Sequence, residues 1–158
     1  MRLIVVSDTH RNFGRLHKVV QRHINHCDLF LHLGDGLREM DDILSLYPSL
    51  PALAVCGNCD WAREEPYERV ISLNEHKAFH CHGHQYGVKA SWQPLAKHAR
   101  ELGCTLALFG HTHEPLCEYA YGVLLLNPGS AGNRCRGGRA RANVLIIDGD
   151  KLRVEDIE

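Results

Sequence analysis

Short apolar runs alternate with amphipathic stretches along the first half of the chain. The runs lie at 1–6, 29–33 and 52–56, and such nearly continuous apolar segments are typical of parallel strands buried on both faces. Between them, apolar residues recur at helical spacing over about 13–25 and 37–47, which predicts two amphipathic helices. This alternation of strand and helix predicts an α/β fold with a parallel sheet and right-handed crossovers.

The second half of the chain changes to pairs of short strands. The candidate hairpins join 69–73 to 77–81, 116–120 to 123–126, and 142–147 to 152–157. A helix over 94–102 and a strand over 105–109 lie between the first two hairpins. We therefore expect a second, more antiparallel sheet packed on the first, with the helices outside. No repeat, linker or low-complexity tract divides the sequence, so 1–158 is expected to be a single domain.

Good metal ligands follow the predicted strands. They are Asp8, His10, Asp35, Asn58, His82, His111 and His113. Each of these residues alone is more often an ordinary turn or capping residue. However, ligands of open α/β sheets bind outside the carboxyl ends of the strands, so residues at successive strand ends should converge. The D-x-H and H-x-H spacings add to this, because residues i and i+2 of an extended backbone point the same way.

The chemistry of these residues favours a pair of transition-metal ions. Nitrogen and oxygen donors without thiolate suit Mn, Fe, Co, Ni or Zn and argue against calcium. Seven ligands are too many for one tetrahedral zinc and suit two ions that share a carboxylate. With both aspartates ionised, two divalent ions leave a charge of about +2, which attracts phosphate and acidifies water. This combination suits displacement at phosphorus.

The motifs resemble those of the calcineurin-like metallophosphoesterases, and most closely the short YfcE-type phosphodiesterases. In family order they are D-x-H (Asp8, His10), G-D (Gly34, Asp35), G-N-C-D (57–60), H-G-H (82–84), G-H-T-H (110–113) and N-P-G-S (127–130). The resemblance implies a four-layer αββα sandwich of two mixed sheets. It also implies hydrolysis of small phosphodiesters by a hydroxide that bridges two divalent ions, with manganese first and Ni, Fe, Co or Zn as alternatives.

The resemblance also divides the ligands between the two ions. One set is Asp8, His10, Asp35 and His113; the other is Asp35, Asn58, His82 and His111, so Asp35 bridges. His84 is expected beside these ligands, where it orients one of them or contacts substrate. The alternatives are a phosphomonoesterase or nucleotide pyrophosphohydrolase at the same site, or a non-catalytic scaffold like the metallophosphoesterase-like subunit of retromer coats. A scaffold would tolerate loss of ligands, and none is missing here.

The sequence departs from many larger family members at Cys59. Those members have G-N-H-[DE], whose histidine can protonate the leaving oxygen, whereas a neutral thiol with an ordinary pKa near 8.5 is a poor substitute. Asp60, His84 or a metal-bound water could compensate, and the catalytic set is therefore predicted to be Asp35, Asn58, Asp60 and His84. We expect a preference for diesters with good leaving groups. A redox or zinc role for Cys56-x-x-Cys59 is disfavoured, because no second pair stands at ligand spacing.

Net charge, hydropathy and cysteine content limit the classes of binding partner that the sequence favours. The net charge of −1 gives no global field for nucleic acid or an anionic membrane, and no apolar run approaches the ~20 residues of a membrane span. An odd number of cysteines, seven, without a secretory segment indicates reduced thiols and a cytoplasmic location. The expected partner is therefore a small phosphodiester, with nucleic acid and membranes disfavoured. Homo-oligomerisation stays open.

Two further groups of residues are candidates for substrate contact. The loop with Arg134, Arg136, Arg139 and Arg141 is either a solvated surface loop or supplies Arg134 or Arg139 as a bidentate phosphate clamp. Phe13, Trp61 and Trp92 could line a shallow pocket near the metals, although core packing suits Phe13 equally well.

Overall fold

A computed structural model describes residues 1–132 and 140–157 of the chain. The strands are β1 (Arg2–Val6), β2 (Leu29–His32), β3 (Ala52–Ala54), β4 (Glu68–Leu73), β5 (His76–Cys81), β6 (Leu106–Leu108), β7 (Leu116–Ala120), β8 (Val123–Asn127), β9 (Ala142–Asp148) and β10 (Lys151–Ile157). The α-helices are α1 (Phe13–His23), α2 (Leu37–Leu46) and α3 (Gln93–Glu101). Each predicted strand and helix is present, with ends shifted by at most two residues.

The first sheet has the strand order β10-β9-β1-β2-β3. Strands β1, β2 and β3 run parallel, as predicted, while β9 runs antiparallel to β1 with Val144 opposite Ile4. The C-terminal hairpin was expected in the second sheet, and that prediction is wrong. Its turn signal fixes the β9–β10 pairing but not the sheet, whereas β9 is buried on both faces over most of its length and needs a position with cover on both sides. The place beside β1 supplies that cover.

The second sheet has the order β4-β5-β6-β8-β7. Its central strands β5, β6 and β8 are parallel, and the two edge strands β4 and β7 are antiparallel to their neighbours. Each sheet therefore combines two parallel and two antiparallel strand pairings, so both are mixed. The two sheets are more alike than the hairpin pattern of the second half predicted.

Alternating side chains of the strands separate the layers. In β1, Leu3 and Val5 face the second sheet and join a core between the sheets, whereas Ile4 and Val6 face α1 and α2. The outer face of the second sheet packs in the same way against α3, with Phe79 and other apolar residues under the helix. The order helix, sheet, sheet, helix is the four-layer αββα sandwich that the resemblance implied.

The carboxyl ends of β1, β2, β5 and β6 meet at one edge of the sandwich. There Gly110 N–H donates to the His82 carbonyl, Asp8 N–H donates to the Gly34 carbonyl, and His82 Nδ1 lies 2.7 Å from the Leu33 carbonyl across the two sheets. The motifs noted in the sequence are thus adjacent loops. Among the described residues, no helix combines the length and the apolar character needed to cross a membrane.

Candidate metal centre

The first cluster of ligands joins the loop after β1 to the loop after β6. Asp8 Oδ1 lies 3.1 Å from His113 Nε2 and 3.5 Å from His10 Nε2, and the two imidazole nitrogens are 3.0 Å apart. Ligand atoms that each lie ~2.0–2.2 Å from one ion are separated by distances of this size. Asp8, His10 and His113 are therefore placed as three ligands of a single ion would be.

The second cluster contains Asp35, His82 and His111. His82 Nε2 lies 3.4 Å from Asp35 Oδ2, and the rings of His82 and His111 are 5.1 Å apart between centroids. One donor atom from each of the three residues lies within 4.8 Å of the other two. This group draws on the loops after β2, β5 and β6, so both sheets contribute to it.

Asp35 lies between the two clusters. Its Oδ2 atom is 3.9 Å from His10 Nε2 in the first cluster and 3.4 Å from His82 Nε2 in the second. The other oxygen, Oδ1, accepts the Cys59 backbone N–H at 2.7 Å, which fixes the orientation of the carboxylate. One carboxylate therefore faces ligands of both clusters.

Asn58, the one amide among the sequence-predicted ligands, lies in the loop that follows β3. It is exposed, and its amide nitrogen lies 3.3 Å from Cys59 Sγ. The oxygen, which is the atom that would bind a metal, takes no part in this contact. Asn58 precedes Cys59, whose N–H donates to Asp35, so the loop that carries Asn58 reaches the site and its role as a ligand stays a prediction.

Two buried atoms of the candidate ligands lack the hydrogen bonds that buried polar atoms normally make. Within the described residues these are Asp8 Oδ1 and His82 Nε2, neither of which has a well-aligned partner. A carbonyl only accepts, so His82 Nδ1 carries the proton in its 2.7 Å contact with the Leu33 carbonyl. When the ring is neutral, its Nε2 lone pair faces two carboxylates, an arrangement that a cation stabilises. The residues present fit a divalent metal.

The titration of the site also suits metal binding. Burial raises the pKa of Asp8, but the facing His10 and His113 lower it more, and the net pKa is well below its ordinary value. Burial also raises the pKa of Asp35, but the neighbouring His82 lowers it more, and the net pKa is about 2. Burial, His82 and Lys89 lower the pKa of His111 to about 4. At neutral pH the carboxylates are therefore ionised and His111 offers a free lone pair.

The backbone of the ligand loops is held in an unusual conformation. The candidate ligands with positive φ are Asp8 (56°), His10 (43°), Asp35 (58°), His111 (67°) and His113 (59°). Non-glycine residues in sparsely populated regions cost about 1–3 kcal/mol each and cluster at functional sites. Hydrogen bonds between the loops offset part of this cost, since Asp8 and His10 donate their N–H groups to the carbonyls of Gly34 and Asp35.

Asp60 fastens the loops of the first sheet together. Its carboxylate accepts the backbone N–H groups of Asp35, Gly36, Leu37 and Gly57 at 2.7–3.0 Å. A role in proton transfer, expected from the sequence, is not supported by this arrangement, because both oxygens are already occupied by donors. Asp60 instead caps the start of α2 and ties the loop after β2 to the loop after β3.

Asn127 has a similar task in the second sheet. Its amide donates to the Gly110 carbonyl at 2.9 Å and to Thr112 Oγ1 at 3.0 Å, so it holds the G-H-T-H loop. Nearby, the Ser130 hydroxyl donates to the Asp8 carbonyl at 2.8 Å. The N-P-G-S motif was noted in the sequence without a role; the structure shows that it joins the loops after β1 and β6.

A buried polar chain beneath the first-sheet loops was not predicted. Gly34 N–H donates to His32 Nδ1 at 3.2 Å, which leaves the proton of the neutral ring on Nε2, facing Thr9 Oγ1 at 3.3 Å. The Thr9 hydroxyl in turn donates to Glu39 Oε1 at 3.3 Å. Burial lowers the pKa of His32, in keeping with a neutral ring. The sequence carries no spacing signal for this chain of contacts.

Two glycines allow the loops to approach one another. A Cβ atom at Gly57 would lie 2.0 Å from Asp35 Oδ1, and one at Gly110 would lie 1.9 Å from Ser7 Oγ and 2.7 Å from Asp8 Oδ2. Any side chain at either position would displace a carboxylate of the site. These glycines are therefore required by close approach rather than by backbone flexibility.

The remaining sequence-predicted residues are more scattered. His84 lies beside the second cluster, with its ring 5.4 Å from that of His82 and 6.0 Å from that of His111, and burial lowers its pKa. Trp61 lines a cavity beside the first cluster, but Phe13 and Trp92 pack against the apolar clusters under the helices. Arg134 and Arg139 lie outside the described residues.

Comparison with known proteins places this site in a family context. The profile of the calcineurin-like phosphoesterase superfamily domain matches residues 1–151. The chain is 34% identical over 131 residues to the probable metallophosphoesterase YsnB of Bacillus subtilis, covering 82% of this chain and 75% of that protein. It is 25% identical to phosphodiesterase MJ0936 of Methanocaldococcus jannaschii, covering 99% and 98%. A crystal structure described as a predicted phosphoesterase from Streptococcus pneumoniae superposes with a TM-score of 0.85 at 28% identity, covering 99% and 88%.

Proposed function

The chain belongs to the calcineurin-like phosphoesterase superfamily, and we propose that it hydrolyses small phosphodiesters with two divalent metal ions held at the two ligand clusters. The position of Asp35 carries this proposal, because its carboxylate faces His10 in one cluster and His82 in the other. A relative of nearly the same length bears the name phosphodiesterase, which favours diesters as the substrates.

The proposed ligands of the first ion are Asp8, His10, Asp35 and His113, and those of the second are Asp35, Asn58, His82 and His111. The ions would supply positive charge for the phosphate and acidify water at neutral pH. The Cys59 thiol also lies within 4.8 Å of donor atoms of His10 and Asp35, but the ligands proposed here are the nitrogen and oxygen donors of the seven residues above. Such a donor set suits manganese, with Ni, Fe, Co or Zn as alternatives.

The protein residues around the ions hold them and the substrate in position. The Cys59 N–H orients Asp35, and the Leu33 carbonyl fixes the tautomer of His82. Asp60 joins the loops after β2 and β3, and Asn127 holds the loop after β6, so the ligand atoms on these loops are already aligned before substrate arrives. In this scheme the role of Asp60 is to position the ligand loops.

The site has no obvious general acid to protonate the leaving group. The Cys59 thiol is a poor acid, and burial lowers the pKa of His84, so at neutral pH this ring is a weak source of protons. We therefore propose that diesters with acidic leaving groups, such as phenols, are hydrolysed faster than alkyl monoesters. His84 is proposed to contact substrate or to orient His111, its neighbour in the second cluster.

The test is hydrolysis of a substrate panel by metal-free and reloaded protein. Bis(p-nitrophenyl) phosphate and p-nitrophenyl phosphate are incubated with chelated protein and with protein given Mn²⁺, Ni²⁺ or Zn²⁺. We expect diester hydrolysis only with metal, and its loss in His111→Ala but not in the exposed control His26→Ala. Diester hydrolysis by exhaustively chelated protein, or at full rate in His111→Ala, would contradict the proposal.

The same panel separates the alternative functions. A phosphomonoesterase would prefer p-nitrophenyl phosphate, and a pyrophosphohydrolase would act on nucleoside diphosphate esters ahead of both substrates. A scaffold protein would bind metal without hydrolysing any of them. The scaffold is not favoured, since it needs no ionised carboxylates aligned with imidazoles.

A further inference from the structure

A cavity of about 620 Å³ opens beside the first cluster. His10, Asp35 and Cys59 line it at the metal centre, while Arg11, Arg38 and Trp61 line it further out. This volume lies within the range of about 300–1,000 Å³ that is usual for small-molecule sites. The cavity therefore has room for more of a substrate than the phosphate group alone.

Trp61 is the most unusual residue of this cavity. Its side chain is 84% exposed, although a large aromatic ring normally gains from burial. The loop that carries it is anchored on both sides: Asp60 accepts four backbone N–H groups, and Arg63 pairs with Asp41 at 2.6 Å and Glu65 at 2.7 Å. The indole is thus presented to the cavity by a fixed backbone, as a platform for a planar group would be.

The cationic side chains of the cavity differ in what they contact. Arg63 is neutralised by its two carboxylate partners. The guanidinium groups of Arg11 and Arg38, by contrast, make no ion pair or hydrogen bond with any residue in the ranges 1–132 and 140–157. Arg38 also lies in the first turn of α2, where the helix dipole disfavours a cation. Both arginines are available to an anion.

We propose that this cavity binds a nucleoside that carries a second phosphate, so that the substrate is a phosphodiester of the dinucleotide class. The base stacks on Trp61, the second phosphate is bound by Arg11 and Arg38, and the scissile phosphate lies at the metal centre. This inference rests on the proposed function, because it assigns a substrate to the same site. The net charge of −1 favours a short substrate over a long nucleic acid.

The physical basis of the assignment is the combination of the two contacts. An aromatic platform binds any base, and base stacking on aromatic residues is commonly strong enough to change affinity by roughly tenfold or more. A guanidinium group binds phosphate through paired N–H donors, which adds orientation to the attraction. A simple alkyl diester offers neither group and would leave the platform and the arginines exposed to water.

The experiment compares two diesters with the same leaving group. They are methyl p-nitrophenyl phosphate and the p-nitrophenyl ester of thymidine 5′-phosphate that bears a 3′-phosphate. We expect Trp61→Ala to raise KM for the thymidine ester roughly tenfold more than KM for the methyl ester. Trp61→Phe should retain most of the preference, and Arg38→Ala should raise KM for the thymidine ester but not for the methyl ester. The controls are the exposed residues in Tyr119→Ala and Arg153→Ala, which should change neither KM.

Binding is measured separately, so that failure of this inference can be told from failure of the proposed function. Thymidine 3′,5′-bisphosphate is titrated by calorimetry into metal-loaded wild type, Trp61→Ala and Arg38→Ala. At least a fivefold loss of affinity in each variant supports the cavity assignment even when no ester is hydrolysed. Equal affinity in all three proteins, or equal KM changes for both esters in Trp61→Ala, would overturn it while leaving metal-dependent hydrolysis intact.

Discussion

The loops of the two sheets contribute differently to the metal centre. Those of the first sheet carry both buried carboxylates, Asp8 and Asp35. Asp60 joins the loops after β2 and β3, and the Asp8 N–H joins the loop after β1 to them through the Gly34 carbonyl. Those of the second sheet carry imidazoles at 82, 111 and 113 and no carboxylate ligand, and the G-H-T-H loop is held by the neutral amide of Asn127. Charge comes from one sheet, and most of the neutral donors come from the other.

This difference separates two requirements of a metal site. Carboxylates balance the charge of the ions and one of them can be shared, so their loss should affect both ions. Each second-sheet imidazole belongs to one cluster and binds an ion only as a neutral donor. The following predictions test this difference between the carboxylates of the first sheet and the imidazoles of the second.

The largest effect is expected for Asp35→Asn. This change removes the shared charge while leaving the size of the side chain nearly the same. We expect diester hydrolysis to fall by more than roughly a hundredfold, because even partners of metal ligands commonly contribute 10–100-fold. Steady-state kinetics at saturating Mn²⁺ measure it, with the exposed turn variant Asp150→Asn as control. Turnover within tenfold of wild type would show that Asp35 is not shared.

The pH dependence of metal binding should follow the imidazoles. The pKa of Asp35, about 2, keeps it ionised above pH 5. Asp8 raises the pKa of His10, and Asp35 raises that of His82 above its usual value although burial lowers it. Any proton on His10 or His82 must leave before metal binds, so affinity should fall as pH falls from 7 to 5, by at most roughly tenfold per pH unit for each of these two residues. Calorimetry in two buffers measures it, and an unchanged affinity would contradict it.

Asp60→Ala should separate loop positioning from catalysis. The change leaves four backbone N–H groups without their acceptor, and we expect the free energy of unfolding to fall by about 2–4 kcal/mol. Metal affinity should fall with it. Urea denaturation measures the first effect, and Asp41→Ala, which breaks an exposed ion pair, should cost less than about 1 kcal/mol. Equal losses of unfolding free energy in Asp60→Ala and Asp41→Ala would contradict the role of Asp60 in holding the loops.

Asn127→Ala is the matching change in the second sheet. It removes two hydrogen bonds to the G-H-T-H loop, and the expected loss of unfolding free energy is about 1–3 kcal/mol. The loss should be smaller than that of Asp60→Ala, because a neutral amide makes weaker hydrogen bonds than a carboxylate. Urea denaturation of both variants compares them directly. A larger loss of unfolding free energy in Asn127→Ala than in Asp60→Ala would contradict this prediction.

The smallest effect is expected for Cys59→Ser. A thiol whose pKa is about 11 is protonated at neutral pH and transfers its proton poorly. We therefore expect kcat/KM for bis(p-nitrophenyl) phosphate to change by less than roughly fivefold, which corresponds to about 1 kcal/mol. A pH–rate profile of the variant should keep its shape. A hundredfold loss would identify Cys59 as the missing acid.

The fold could be predicted well where the signal is local. The apolar runs and the helical spacing of α1 and α2 gave strand and helix ends to within two residues. The placement of β9 and β10 was not predictable in this way, because a hairpin turn specifies which strands pair and not which sheet they join. Burial of β9 on both faces, at positions such as Val144 and Leu145, is the property that decides it.

The site could be predicted from its motifs only in part. D-x-H and G-H-T-H placed Asp8, His10 and His113 together, because strand ends converge and residues two apart share a direction. The contacts that hold the loops did not follow from spacing. The hydrogen bonds of Asp60 and the chain from His32 to Glu39 join segments far apart in sequence, so only the folded backbone reveals them.

The most direct test of the shared carboxylate is the number of ions bound per chain. Metal-free wild type, Asp35→Asn and His113→Ala are titrated with Mn²⁺ by calorimetry and checked by elemental analysis. We predict two ions for the wild type, one for His113→Ala, and weak or no binding for Asp35→Asn. One ion in an active wild type, or two ions in Asp35→Asn with wild-type affinity, would contradict the account.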